Sequence, residues 1–555
     1  MNSSHRTNAF VKSEWTSTVV IAAMAAMALL GCGGSQKVRQ TGGVDPEETK
    51  KRAEEQARIQ EEYAESQEIA RLNSLYNPWR LPKPALAQDG LGIWRQSQVA
   101  YVRPGYDSLK SRMALLDGAT RSVRVQTFIM SGDEVGQAFA NKLIELAARG
   151  VQVQFIVDDT TTIFKGADSL YYYLTSHGVR VYGYRPIWMQ AGSNPSVFTN
   201  IFTGRTIQER FGGALTTTKI ENHRFHDKIM VVDAEVPGRG AAMVGGTNIA
   251  NEYYDIIGTP TDLKWRDQDM LVRGDLVADL AQAFDSNMVD INTINGQATL
   301  ADSVEQYISG ARGQFGSNTA RGIEIRPYAM SQYKDALSRK LNLRWNTANI
   351  RLIRHRPLHN EFKAEQRLVT AIMNAQKEAI IVNPYVIPSD GIMSAMITAA
   401  RRGVTIKILT NSYESGDTQF VQDVGRMFYK TLILETQPSN RWPRSVPIQI
   451  YEWGGDSVFK NGFSNFHSKY VLIDRQMALL GSYNLDPRSQ VWNSEVLFET
   501  DAPLLVAQLL EQQAQDSGPG YARLVTKEMA ESYKSGGSAW DNVRREVLYL
   551  FKVFL

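Results

Sequence analysis

His226, Lys228 and Asp233 form the pattern H-x-K-x4-D, and His467, Lys469 and Asp474 repeat it about 240 residues later. In both copies the residues between Lys and Asp are apolar: Ile229-Met230-Val231-Val232 and Tyr470-Val471-Leu472-Ile473. A glycine-containing turn and an Asn follow each time, Gly245-Gly246-Thr247-Asn248 and Gly481-Ser482-Tyr483-Asn484. Side chains on an extended chain alternate between faces. His226 and Lys228 therefore point one way, and so do His467 and Lys469. If the copies meet, two imidazoles and two ammonium groups converge. Such a cluster repels a cation and suits an anion, above all a phosphoryl group. Lys228, Lys469, Asn248 and Asn484 are the candidates to hold its oxygens and stabilise charge developing there. One His can attack phosphorus while the other protonates the leaving oxygen. No cofactor is required. His223 and His226 form H-x-x-H, but no Cys or third ligand accompanies them, and no metal is expected.

The carboxylates divide into two sets. Asp233 and Asp474 lie five residues beyond their Lys, so on a regular strand they face away from it. Asp269 and Glu495 each open an apolar strand after the Asn, in Asp269-Met270-Leu271-Val272 and Glu495-Val496-Leu497-Phe498. These two are expected to bind the far ring nitrogens, fixing the tautomers and stabilising imidazolium.

The elements that must position these groups repeat as well. The pattern predicts strands over 122–129 and 151–157, with a helix between them from Val135 to Ala148 ending at Gly150. It predicts the same sequence of elements at 379–382, 391–400 and 404–409. The helix ends match, Ala147-Ala148-Arg149-Gly150-Val151 against Ala399-Ala400-Arg401-Arg402-Gly403-Val404. Strand–helix–strand alternation argues for an α/β fold. The repeat is far longer than a solenoid unit of ~20–50 residues, so it is a duplicated domain. The expected units are 90–310 and 311–555, each a mixed sheet flanked by helices, packed about a pseudo-two-fold axis with the site between them. One chain then completes the site without a partner copy. Asp233 to Asn248 is longer than Asp474 to Asn484, and Pro237-Gly238-Arg239-Gly240 implies a longer hairpin turn there. Residues 189–222 read as a loop over the first motif. His355 and His359 flank Pro357, which argues for a loop, and Asp158-Asp159 reads as a strand end.

The chain has 555 residues, one Cys and a net charge of +3. Its lone Cys32 cannot form an intramolecular disulfide, and so small a charge does not argue for a nucleic-acid partner. Basic residues, a short apolar run and Leu29-Leu30-Gly31-Cys32 have the layout of a secretory signal over 1–31. Its ending resembles a bacterial lipoprotein signal, which implies lipid attachment at Cys32 and, with Gly33 following, an outer-membrane anchor facing the periplasm. Residues 32–89 read as a flexible tether and a charged helical stalk. Residues 540–555 have the pattern of an amphipathic helix, packed on the domain or lying at a membrane surface.

Taken together, the doubled H-x-K-x4-D with G-G/S-x-N downstream resembles the phospholipase D superfamily over roughly residues 90–520. Gly481 to Ser489, followed by Asn493-Ser494-Glu495, resembles bacterial cardiolipin synthases, especially the C-type. Gly246-Thr247-Asn248-Ile249-Ala250-Asn251-Glu252-Tyr253-Tyr254 points the same way. The resemblance implies phosphatidyl transfer between alcohols through a phosphohistidine, with His226 as nucleophile and His467 as acid and base. It gives Asp233 and Asp474 a structural role. It implies a phospholipid substrate, phosphatidylglycerol with or without phosphatidylethanolamine, met at a membrane surface. Hydrolysis to phosphatidic acid is the same chemistry with water as acceptor. A phosphodiesterase or nuclease and an inactive envelope binding module are the readings of other classes.

Overall fold

The structure is a computed structural model and describes residues 90–158, 168–184, 222–256, 264–294, 331–417, 419–454 and 464–535. The expected signal, Cys32, tether and stalk, most of the loop over the first motif, the expected domain boundary and the segment 540–555 lie outside these residues.

The first half builds strands β1 (Arg95–Val102), β2 (Ser122–Thr127), β3 (Gln152–Asp158), β4 (Arg180–Tyr184), β5 (Ile229–Val232), β6 (Ala241–Gly245), β7 (Lys264–Arg266) and β8 (Asp269–Gly274), β2 and the start of β3 from β-branched residues alternating with polar ones and the inner β5 and β6 from continuous apolar runs. The second half repeats them as β9 (Trp345–His355), β10 (Glu378–Val382), β11 (Thr405–Asn411), β12 (Gln449–Trp453), β13 (Ser464–Phe466), β14 (Tyr470–Ile473), β15 (Met477–Gly481) and β16 (Glu495–Thr500), with β17 (Ala522–Leu524) added. All but β7 and β13 join one 15-stranded sheet, ordered β17-β12-β11-β10-β14-β15-β16-β9-β1-β8-β6-β5-β2-β3-β4. Leaving out the edge strand β17, the order reads the same outward from the central β9–β1 pair. The two mixed sheets expected from the sequence are thus fused by antiparallel pairing of β1 with β9.

The helices follow the repeat. The expected helix at 135–148 is α1 (Glu134–Ala148), capped by the Asp133 side chain. Its counterpart is α3 (Asp390–Arg401), capped by Ser389. Gly150 and Gly403, at φ 86° and 100°, end the matched turns in the left-handed region. One face of each half packs on its own helices in a separate core. On the other face a third core runs across both halves. There α2 (Leu276–Ile294) of the first half packs on β9, and α4 (Pro503–Asp516) of the second packs on β1. This exchange of helices locks the two halves in one orientation.

Asp233 and Asp474 sit at the ends of β5 and β14, both at φ 52°. The Asp233 carboxylate accepts the backbone N–H groups of Thr120, Arg121 and Ser122 at 2.9, 2.7 and 3.0 Å. Asp474 accepts those of Gln376, Lys377 and Glu378 at 2.9, 2.7 and 2.9 Å. Each therefore ties its hairpin to the chain entering β2 or β10, far from any reacting group. The longer first turn runs through Gly238 at φ 72°. Burial opposes the charge on Asp233, but the hydrogen bonds from Thr120, Ser122 and Arg121 together outweigh it and hold the carboxyl below its ordinary value. That contribution to stability is present above the unfolded carboxyl's pKa and is lost as pH falls through the lower, folded one. Asp233→Ala strands three N–H groups and puts Ala in the left-handed region. It should lower the unfolding free energy by about 2–4 kcal/mol in urea melts, while the folded fraction keeps its turnover rate.

Candidate active site

Two short pairings outside the large sheet bring the motifs together. β13, which leads into His467, runs parallel to β7, which leads into Asp267. Phe225, before His226, bridges Ser494, before Glu495. The His467 N–H donates to the Arg266 carbonyl at 2.8 Å, and the His226 N–H donates to the Ser494 carbonyl at 3.1 Å. The H-x-K segments are thus extended but precede β5 and β14 rather than lying in them. The opposite half takes the hydrogen bond that a sheet neighbour would have made.

This arrangement sets the imidazoles. His226 Nδ1 donates to Glu495 Oε2 at 2.8 Å, and His467 Nδ1 donates to Asp267 Oδ2 at 2.6 Å. Each carboxylate comes from the other half of the chain. With Nδ1 carrying the proton toward a carboxylate, Nε2 is left as the free nucleophilic nitrogen of the neutral ring. Lys469 Nζ also lies 2.9 Å from His467 Nδ1. An ammonium has no acceptor, so the ring proton goes to Asp267, and Lys469 donates to the His467 carbonyl.

Glu495 stands where the sequence put it, and Asp269 does not. Gly245 pairs with Asp269 across β6 and β8, whereas Gly481 pairs with Leu497 across β15 and β16. The counterpart of Glu495 is therefore two residues earlier, at Asp267, which the sequence reading missed. Asp269 instead accepts Ser108 Oγ at 2.6 Å and forms a buried ion pair with Arg112 at 2.8 Å. A similar buried pair ties Glu499 to Arg367 and Arg351, each at 2.8 Å.

Lys228 donates to the His226 carbonyl at 2.9 Å. Its ammonium also stands over the Phe128 ring at 5.7 Å, and the same ring meets His226 edge-on at 4.9 Å. Tyr253 and Trp265 pack against His467 at 5.6 and 4.9 Å between ring centres. Both ends of the Asn248 side chain are engaged within its own half: its carbonyl oxygen accepts the Ile129 N–H at 3.2 Å, and one of its two amide N–H groups donates to Tyr253 Oη at 2.7 Å. The Asn484 side-chain oxygen is buried with no hydrogen-bond partner among the described residues.

The other polar groups take structural places. His223 Nδ1 meets the Trp492 carbonyl, and its ring packs edge-on to Phe225 at 4.7 Å. His355 reaches the Gln490 carbonyl and His359 pairs with Asp290, each at 2.9 or 2.8 Å, with Pro357 opening a single 3₁₀ turn between them. Asp158 ends β3 at 4.0 Å from Arg224.

Burial places all six groups in a medium that penalises charge. It pushes both imidazoles well below their ordinary range, and the nearby Lys228 and Lys469 add to this. Burial brings Lys228 down to about 7 against the pull of Glu495, with Lys469 lowering it further. It brings Lys469 down to about 8 against the pull of Asp267 and Glu495. The same burial raises Glu495 and Asp267, with Lys228 and Lys469 opposing most. Two lysines in so buried a site, one lowering the other, favour an anionic ligand.

A doubled α/β fold with this paired histidine, lysine and carboxylate centre defines the class of protein. A family model described as "Cardiolipin synthase, PLD-like domain" matches residues 113–257 and 368–516, more than half of the chain. The chain belongs to this family and is an enzyme of the phospholipase D superfamily, of the phosphatidyltransferase type. Cardiolipin synthase C of Escherichia coli is 26% identical over 432 residues, covering 73% of this chain and 81% of that protein. Cardiolipin synthase of Geobacillus kaustophilus is 24% identical over 410 residues, covering 73% of this chain and 64% of that protein. Among solved structures, phosphatidylserine synthase of Haemophilus influenzae shares the fold with a TM-score of 0.56 at 13% identity, covering 85% of this chain and 99% of that one. No helix among the described residues is long and apolar enough to cross a membrane.

Asp267 and Asp269 are separated by one residue, and substitution should separate their roles. Asp267→Asn should cut turnover on the order of 10²–10⁴-fold with an unchanged melting curve, because the imidazole loses its charge partner. Asp269→Ala should cost about 3–5 kcal/mol of stability, because it leaves Arg112 buried and unpaired. Thermal melts and single-turnover rates on both variants check this; the opposite pattern would restore Asp269 as the orienting group.

Proposed function

We propose that this enzyme moves a phosphatidyl group from one alcohol to another, with phosphatidylglycerol as donor and acceptor, as in cardiolipin synthesis. One observation carries the reading: two imidazoles, each with Nδ1 bound to a carboxylate, flank two buried lysines on a chain of the cardiolipin synthase family. His226 Nε2 attacks phosphorus. As the N–P bond forms, the ester P–O bond breaks, and His467 in its imidazolium form gives its Nε2 proton to the leaving glycerol. His467 then removes the proton from an incoming hydroxyl, whose oxygen attacks phosphorus and breaks the N–P bond. Lys228 and Lys469 hold the phosphoryl oxygens throughout, with the buried Asn484 side chain at hand to join them, and their charges lower the energy of the transition state. Bound phosphate also raises the depressed imidazole of His467 toward the range where it can act as an acid. The proposed setting is the bacterial envelope, with the enzyme tied to a membrane through lipid on Cys32.

Purified protein should convert phosphatidylglycerol vesicles to cardiolipin and glycerol, with and without phosphatidylethanolamine. Phosphatidic acid as the sole product would overturn transfer in favour of hydrolysis. Wild-type enzyme quenched in alkaline denaturant should carry phosphorus label from the phosphatidyl group on histidine, and His226→Ala should not.

The lysines also set a pH dependence. A bound dianion raises their pKa values, so binding is strongest while both are protonated and is lost as pH rises through about 7 and about 8. Inhibition by tungstate, whose charge stays constant over this range, should weaken at least about tenfold between about pH 6.5 and about pH 9. A flat profile would mean that the lysines do not titrate there.

A further inference from the structure

The duplication leaves one feature near the site unpaired. Tyr385 follows β10, and its hydroxyl donates to Asp417, lying 2.8 and 2.9 Å from the two carboxylate oxygens. Both backbones are fixed. Asn383 Oδ1 accepts the Leu485 N–H at 3.1 Å, and Val386 bridges Leu485, so Tyr385 is held beside Asn484. The loop carrying Asp417 is closed by Ser415, whose hydroxyl reaches Asn411 Oδ1 at 3.0 Å and the Trp453 carbonyl at 2.9 Å. The pair lies at the His467 end. Asp417 is within electrostatic reach of Lys469 and of Tyr253, whose ring packs on His467. Yet Asp417 remains exposed, unlike the buried carboxylates Glu495 and Asp267.

Among the described residues the first half has no counterpart. Met130 bridges Ile249 as Val386 bridges Leu485, so the position matching Tyr385 is Ile129, which has no side-chain hydrogen-bonding group. The charges acting on His226 from outside the paired cluster are its chain neighbour Asp227 and, after it, the cationic Arg488. The phosphate-holding lysines occur in both halves, as a shared phosphoryl group requires. A carboxylate repels phosphate and accepts hydroxyl hydrogens. It has about four lone-pair positions, and Tyr385 does not fill them.

We propose that Tyr385 and Asp417 form the subsite for the free hydroxyls of the alcohol, favouring a polyol such as a glycerol headgroup over a simple alcohol at the His467 end. This rests on the phosphatidyl-transfer reading. Asp417 accepts a hydroxyl that does not react, and Tyr385 orients Asp417. The neighbouring hydroxyl is thereby brought to His467. An alcohol without a second hydroxyl gains nothing from the pair.

The test is competition between isotopically labelled glycerol and ethanol as acceptors from unlabelled phosphatidylglycerol vesicles, read from label entering phosphatidylglycerol and phosphatidylethanol as the ratio of their kcat/KM values. In wild type the ratio should favour glycerol. Asp417→Asn should lower it roughly 10–100-fold, and Tyr385→Phe should lower it in the same direction by less. A pair that merely braces the loop would change both acceptors together and leave the ratio constant, which would overturn the proposal, as would a ratio unchanged in both variants. Wild type that transfers to neither alcohol would overturn the underlying reading and this subsite with it. Melting curves of the variants show whether a rate loss common to both acceptors comes from unfolding.

Discussion

Each imidazole is tied through Nδ1 to a carboxylate from the other half of the chain, His226 to Glu495 and His467 to Asp267. The backbone makes the same crossing. Each His donates its N–H to the carbonyl of the residue just before the partner carboxylate. A single half would therefore hold a histidine and a lysine but no group to set the ring. The pairing of β1 with β9, the β7–β13 ribbon and the exchanged helices all serve to keep this crossing in register. A shift of one residue at the central pair would move both carboxylates off their rings at once.

Enclosing these groups has a second consequence. Two ammonium ions, two carboxylates and two rings share a volume almost closed to water. Desolvation disfavours every charge in it, and the lysines repel one another. The packing around the centre thus imposes an electrostatic cost on its charged groups. An entering phosphoryl group relieves the lysine repulsion and returns charge to the rings. Surface lysines would have no such incentive, because water screens them already.

Much of this was legible in the sequence, for identifiable reasons. The repeat of H-x-K-x4-D and the matched helix ends survive because the core demands the same spacing in both halves. The strands and helices that carry this repeat fall within a few residues of expectation. Asp269 misled because Asp267 and Asp269 are two apart, so strand periodicity cannot choose between them. Only the register across β6 and β8 does, and register comes from pairing. The long insertion after Asn248 hid the correct offset further. The fusion of two sheets into one was invisible for a related reason: nothing in β1 or β9 states what its edge will meet. Tyr385 and Asp417 belong to separate elements and to no repeated pattern, so only the fold brings them together.

The two halves of the duplicated centre differ in how the orienting carboxylates are engaged. Glu495 also accepts the Ser482 hydroxyl at 2.6 Å and the Ser489 hydroxyl at 2.7 Å. Among the described residues Asp267 accepts only the Gln268 N–H besides His467, at 2.9 Å. A carboxylate that shares its charge among several donors stabilises an imidazolium less than one that does not. In the proposed reaction this suits His467 to carry the proton and His226 to stay neutral and attack. On the proposed mechanism this agrees with the charges just beyond the rings. Beyond Asp227, cationic Arg488 lies toward His226, where the phosphatidyl group would be held. Asp417 lies toward His467, where the alcohol would give up its proton. The motifs are symmetric, so the division of labour falls to residues outside them.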